Sequence, residues 1–91
     1  MQQDFRIFAA EIRTDRPTLD LHGLYPNEAV EKIDPFLYLN GNNKESAVKI
    51  VYGAGTGKLR EAVVAYLQSH PLVGTMQAEG AYCLVVFLNV E

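Results

Sequence analysis

From Ile50 to Arg60 the chain reads Ile-Val-Tyr-Gly-Ala-Gly-Thr-Gly-Lys-Leu-Arg, and no other stretch restricts the fold as strongly. An apolar run (Val48, Ile50, Val51) ends at Tyr52, and glycines follow at the alternate positions Gly53, Gly55 and Gly57. Apolar residues then recur at Leu59, Ala62, Val63, Tyr66 and Leu67, the i, i+3, i+4, i+7, i+8 spacing of one helix face. This is strand, glycine loop, helix. Glycine permits positive φ and close backbone approach. The helix start offers unpaired N–H groups and the positive end of its dipole, a setting that favours an anion such as phosphate.

Known phosphate loops differ from this one. A Walker A loop has four residues before its Gly-Lys pair and then Ser or Thr; here three residues separate Gly53 from Gly57, and Leu59 follows Lys58. The Rossmann spacing and its downstream acid are also missing. From the loop alone, a phosphate site and a ligand-free strand-to-helix turn stand level.

At 91 residues the chain predicts one small domain with a single core. No apolar run nears the ~20 residues of a membrane span, and Met1 to Asp4 lacks the basic start of a signal peptide. The lone Cys83 lies in an apolar run and reads as a buried, inert thiol. A single cysteine forms no internal disulfide and no cysteine-rich zinc site, so a cytoplasmic location is expected. A net charge of −3 argues against a surface built mainly to coat nucleic acid and leaves room for a local basic patch at Lys58 and Arg60.

In order along the chain, residues 1–17 read as an N-terminal arm or linker and residues 18–91 as the domain. In the arm, Phe5, Phe8, Ala9 and Ile12 fit helical spacing with Asp4 as N-cap, while Phe5 and Ile7 also fit strand alternation. Thr18 to Leu21 predicts a short strand with Asp20 and His22 on one face. A helix follows from Pro26, with Ala29, Val30, Ile33, Phe36 and Leu37 on its apolar face. Pro35 is expected to kink or end it, and Asn40 to Asn43 reads as a loop. The second helix ends near His70, because Pro71 disfavours helical geometry in the residue before it. Val73 to Ala78 predicts a strand, Glu79-Gly80 a tight turn, and Tyr82 to Leu88 a central strand covered on both faces.

The order β-α-β-α-β-β, with right-handed crossovers and a final hairpin, predicts a four-stranded mixed sheet in the order 1-2-4-3. Two helices pack on it as a two-layer α/β sandwich. Ligands in such sheets bind beyond the carboxyl ends of parallel strands. That rule brings the Asp20/His22 segment and the glycine loop to one edge.

Three motifs then stand in sequence: Leu19-Asp20-Leu21-His22-Gly23, Gly53 to Arg60, and His70-Pro71-Leu72-Val73. Together they resemble the Smr (small MutS-related) domain family over residues 18–88. The resemblance implies a fold like the C-terminal domain of translation initiation factor three. It also implies nucleic-acid binding, with nicking endonuclease activity on DNA or RNA in several members, commonly as part of a larger protein or assembly. Carried onto this chain, it assigns Asp20 and His22 to cleavage. Tyr52, Gly53, Gly55, Thr56, Gly57, Lys58 and Arg60 are assigned to phosphate binding. One departure is that the family commonly has His where this chain has Tyr52. Another is that only Glu79-Gly80-Ala81 stands where a glycine-rich segment is usual.

The chemistry asks for a base, a held phosphate and stabilised charge. His22 has the right ordinary pKa, near ~6.5. Asp20 either positions His22 or holds a magnesium or manganese ion. Against this stand a structural Asp-x-His turn, solvated Lys58 and Arg60, a structural His70 at a helix end, and a noncatalytic binding or protein-interaction module in which Tyr52 marks the loss of cleavage.

Overall fold

The computed structural model describes residues 16–88; residues 1–15 of the expected arm, with Phe5, Phe8 and Ile12, lie outside that range. In chain order the elements are β1 (Thr18–Asp20), α1 (Pro26–Asn42), β2 (Ala47–Val51), α2 (Lys58–Gln68), β3 (Val73–Glu79) and β4 (Tyr82–Phe87). The sheet order is β1-β2-β4-β3. β1 runs parallel to β2, pairing Asp20 with Val51, and β4 runs antiparallel to both of its neighbours. The predicted topology is the observed one.

β4 is central because both of its faces are apolar. Cys83 and Val85 point into the main core with Val48 and Ile50, where Ala29, Ile33 and Leu37 of α1 and Val63 and Leu67 of α2 cover them. Leu84 and Val86 lie on the opposite face with Ala47 and are equally buried. Tyr82 packs beside them, with the Lys49 Nζ 4.4 Å above its ring. The β3–β4 hairpin closes through Gly80 at φ 51° and Ala81. The Ala81 carbonyl accepts the N–H groups of both Tyr52 and Gly53 at 2.9 Å, which ties the hairpin turn to the start of the glycine loop. At the outer strand, a Cβ on Gly74 would sit 3.0 Å from the Leu88 Cα, so any side chain at that irregular register would have to push the neighbouring backbone aside.

Two features of α1 differ from expectation. The helix runs on past Pro35 rather than ending there, and Asn40 to Asn42 are its last turn rather than a loop; α1 is continuous over seventeen residues, with Pro35 inside it. Pro35 lies on the exposed side of the helix, so the carbonyl it leaves without an intrahelical partner faces water. Ile33 and Leu37 anchor the helix to the core on either side of it. The Asn40 side chain turns inward and donates to the Phe36 carbonyl at 2.8 Å, which carries the helix into what reads as a loop.

His70 is structural, as expected, and belongs to a cluster that sequence spacing did not reveal. Its Nδ1 accepts the Leu72 N–H at 3.1 Å, so its Nε2 carries the proton donated to Asp34 at 2.8 Å. The Tyr66 hydroxyl donates to the same Asp34 oxygen at 2.5 Å. These bonds hold the Asp34 carboxyl below its ordinary pKa, Tyr66 first and His70 second. The cluster clamps the end of α2 to the middle of α1.

Candidate phosphate-binding cleft

The cleft lies at the edge where β1 and β2 end and both helices begin. After Asp20 the chain leaves the sheet: the Leu21 N–H still donates to the Val51 carbonyl at 2.7 Å, and Leu21 is fully buried. Burial of Leu21 turns its neighbours Asp20 and His22 outward together. One Asp20 oxygen accepts both the His22 backbone N–H, at 3.1 Å, and the His22 Nδ1 proton, at 2.6 Å. The His22 side-chain bond is the main cause holding the Asp20 pKa below its ordinary value. An ionised carboxylate only accepts, so Nδ1 carries the proton and Nε2 is the free ring nitrogen.

The glycine loop forms the facing wall. Gly53 has φ 86°, and a Cβ there would lie 3.3 Å from the His22 Cβ, so this glycine sets how closely the two motifs approach. Gly57 caps α2 in the left-handed region at φ 92°. Gly55 needs neither device. Its φ is outside the left-handed region and an added Cβ would meet no heavy atom within 4 Å. The Thr56 hydroxyl accepts the Lys58 N–H at 3.4 Å.

Between these walls is a cleft of about 360 Å³, lined by His22, Tyr52, the loop from Gly53 to Gly57, and Arg60. Asp20 and the Lys58 side chain do not line it; Asp20 stands behind His22, and Lys58 is exposed at the first turn of α2. Tyr52 is only 3% exposed and donates its hydroxyl to the Tyr82 carbonyl at 2.8 Å. Burial raises its pKa above the ordinary value, and the neighbouring Arg60 guanidinium offsets only part of that. Tyr52 is therefore a neutral donor in the floor of the cleft. Gly23, Leu24, Tyr25 and Leu59 complete the lining; the sequence did not single out Leu24 and Tyr25, and nothing in their spacing marks them.

Among the described residues, no three His, Cys, Asp or Glu side chains gather as metal ligands. Asp20 also commits one oxygen to His22. This donor set does not fit a protein-held magnesium or manganese ion. Among the same residues, no helix is long and apolar enough to cross a membrane.

Fold and cleft together define a class: a two-layer α/β sandwich with an Asp-His pair and a glycine loop at the carboxyl edge of its parallel strands. Residues 19–83 match the Smr domain, and the chain belongs to that family. It is 35% identical over 79 residues to Endonuclease MutS2 of Thermomicrobium roseum, covering 81% of this chain and 10% of that protein. Endonuclease MutS2 of Streptococcus uberis is 37% identical over the same shares. The chain thus spans about a tenth of the length of the curated relatives it matches. Among solved structures, the Smr domain of Thermus thermophilus MutS2 aligns with a TM-score of 0.75 at 26% identity, covering 80% of this chain and 99% of that one. The SMR domain of NEDD4-binding protein 2 shares the fold, with a TM-score of 0.65 at 22% identity over 87% of this chain and 93% of that one.

Proposed function

We propose that this Smr domain binds the phosphodiester backbone of DNA or RNA in the cleft and nicks it, with His22 as general base. The observation that carries the reading is the Asp20–His22 pair, whose proton arrangement leaves Nε2 free beside the glycine loop. Asp20 fixes the tautomer and stabilises the imidazolium that forms when His22 takes a proton from water or from a ribose hydroxyl; that oxygen bonds to phosphorus as the P–O bond to the leaving sugar oxygen breaks, and the leaving oxygen takes a proton from solvent. The loop N–H groups at the start of α2 and the Arg60 guanidinium face the charge that develops on the phosphate oxygens. Gly55 keeps the cleft floor open to a close phosphate. Lys58 contributes at longer range, from outside the cleft. Tyr52 acts from below, its hydroxyl beside Arg60, as a positioning residue. The names of the MutS2 relatives agree with an endonuclease role, and their length agrees with this domain acting as a module of a larger protein. The buried lone thiol of Cys83 is compatible with a cytoplasmic setting.

A second reading, binding without cleavage, is favoured by one observation. Tyr52 occupies the position of the family's usual histidine, and its hydroxyl is committed to the Tyr82 carbonyl. A nicking assay on supercoiled plasmid and structured RNA separates the two. His22→Ala is expected to lower cleavage by roughly 10²- to 10⁴-fold with binding nearly intact. Arg60→Ala is expected to weaken binding and reduce its salt dependence by up to about one phosphate contact. Cleavage by His22→Ala at the wild-type rate removes the base assignment. Salt-dependent binding by a wild type that nicks neither substrate leaves the noncatalytic module.

A further inference from the structure

The cleft has a second wall that a phosphate does not use. Leu24 and Tyr25 line it opposite the loop, and Tyr25 is 73% exposed, more than Tyr38, Leu39 or Leu88. Core packing does not account for that ring. Tyr25 occupies the N-cap of α1 and closes a capping box with Glu28, a role that Ser, Thr, Asp or Asn normally fills and that needs no aromatic ring. Its backbone is nevertheless rigidly held. The N–H donates to Glu28 Oε1 at 3.1 Å, the carbonyl accepts the Ala29 N–H at 2.9 Å, and Pro26 fixes the extended conformation at ψ 152°. A flat aromatic face is thus presented to solvent, from a fixed backbone, on the rim of the cleft that holds His22, Gly55 and Arg60.

Resting on the phosphate-cleft reading above, we infer that Tyr25 is a base-stacking platform and that the preferred substrate is an unpaired nucleotide. The cleft volume of about 360 Å³ is in the range of a small-molecule pocket rather than of a single phosphate group. Bases in a duplex already stack on one another and have no free π-face to offer. An unpaired base, in a single strand, loop or flap, can lay its face on the ring while its phosphate sits at the loop. Stacking of this kind tolerates any base, so the site selects for strand state rather than for sequence.

The test measures binding of the full chain to labelled single-stranded and duplex oligonucleotides of the same sequence by fluorescence anisotropy across a salt series. Tyr25→Ala is expected to weaken single-strand binding roughly 5- to 150-fold, the range of one lost base stack, without changing the salt slope. Duplex binding should change less than about twofold, and Tyr25→Phe should bind as wild type does. Arg60→Ala distinguishes the premise from the inference. If wild-type binding depends on Arg60 and Tyr25→Ala leaves single-strand affinity unchanged, or lowers both forms equally, the stacking assignment is overturned and the phosphate site stands. If wild type binds neither form, both are overturned.

Discussion

Gly55→Ala separates what the fold needs from what a ligand needs. At Gly55 the backbone lies outside the left-handed region and an added Cβ meets nothing within 4 Å, so alanine is compatible with the folded chain. Alanine also restricts the unfolded chain, which stabilises by about 0.4–1 kcal/mol. For a domain of this size that is a rise in melting temperature of roughly 2–8 °C. Gly57→Ala forces a Cβ onto a residue at φ 92°, which costs about 1–3 kcal/mol. Gly53→Ala adds the 3.3 Å approach to the His22 Cβ to a similar backbone cost. Binding should follow a different order. If the loop seats a phosphate as proposed, a methyl group at Gly55 occupies space that a phosphate oxygen needs to reach the loop N–H groups. Loss of one charge-assisted hydrogen bond costs about 1.5–3 kcal/mol, a factor of roughly 10 to 150 in affinity. Thermal melts and anisotropy with a labelled oligonucleotide, run on all three variants, give both axes. A Gly55→Ala protein that is more stable and binds as wild type does would refute the loop as the phosphate seat. One that melts lower would refute the account of why glycine is there.

Two further variants probe the frame of the molecule. His70→Ala removes the acceptor of the Leu72 N–H and a donor to Asp34, and should destabilise by about 1–3 kcal/mol in a denaturant melt. Oligonucleotide affinity should not change, because His70 stands beyond the far end of α2, about 16 Å of helix from the cleft. Burial pushes the Cys83 thiol from 9.0 up to about 12, so the folded chain keeps a proton that the unfolded chain gives up. The stability from this difference is fully present below pH 9 and is lost as pH rises toward 12. Cys83→Ala should flatten that alkaline limb, and thiol reagents should label the native protein no faster than it unfolds.

The sheet was legible because its strands carry strong signals: an apolar run at nearly every position of β4, a glycine turn before it, and two crossovers with clear helical spacing. Strand order then follows from handedness and burial, which need no atomic detail. Pro35 and Asn40-Gly41-Asn42 misled for a local reason. Sequence rules price a proline or a polar run without knowing which side of the helix faces water or whether Asn40 finds a carbonyl within its own helix. The site was legible as far as the sheet-edge rule reaches, which includes His22, the glycines and Arg60. Beyond that it was not. Tyr52 stands at the head of the loop in sequence, yet its hydroxyl turns inward to the Tyr82 carbonyl. Asp34, Tyr66 and His70 meet only because two helices pack side by side, and no spacing along the chain encodes that.

The shared Ala81 carbonyl has a mechanical consequence. Because it accepts both Tyr52 and Gly53, the tip of the β3–β4 hairpin and the mouth of the glycine loop are fastened at one atom. The hairpin tip is thus a tether, unlike most two-residue turns, which tolerate cutting or extension. Opening the chain between Gly80 and Ala81, as in a circular permutant or a split reporter, would free the loop at its root. The connection from Asn43 to Ser46 leads into the start of β2, at the opposite end of that strand from the glycine loop, and is the better point at which to divide this domain.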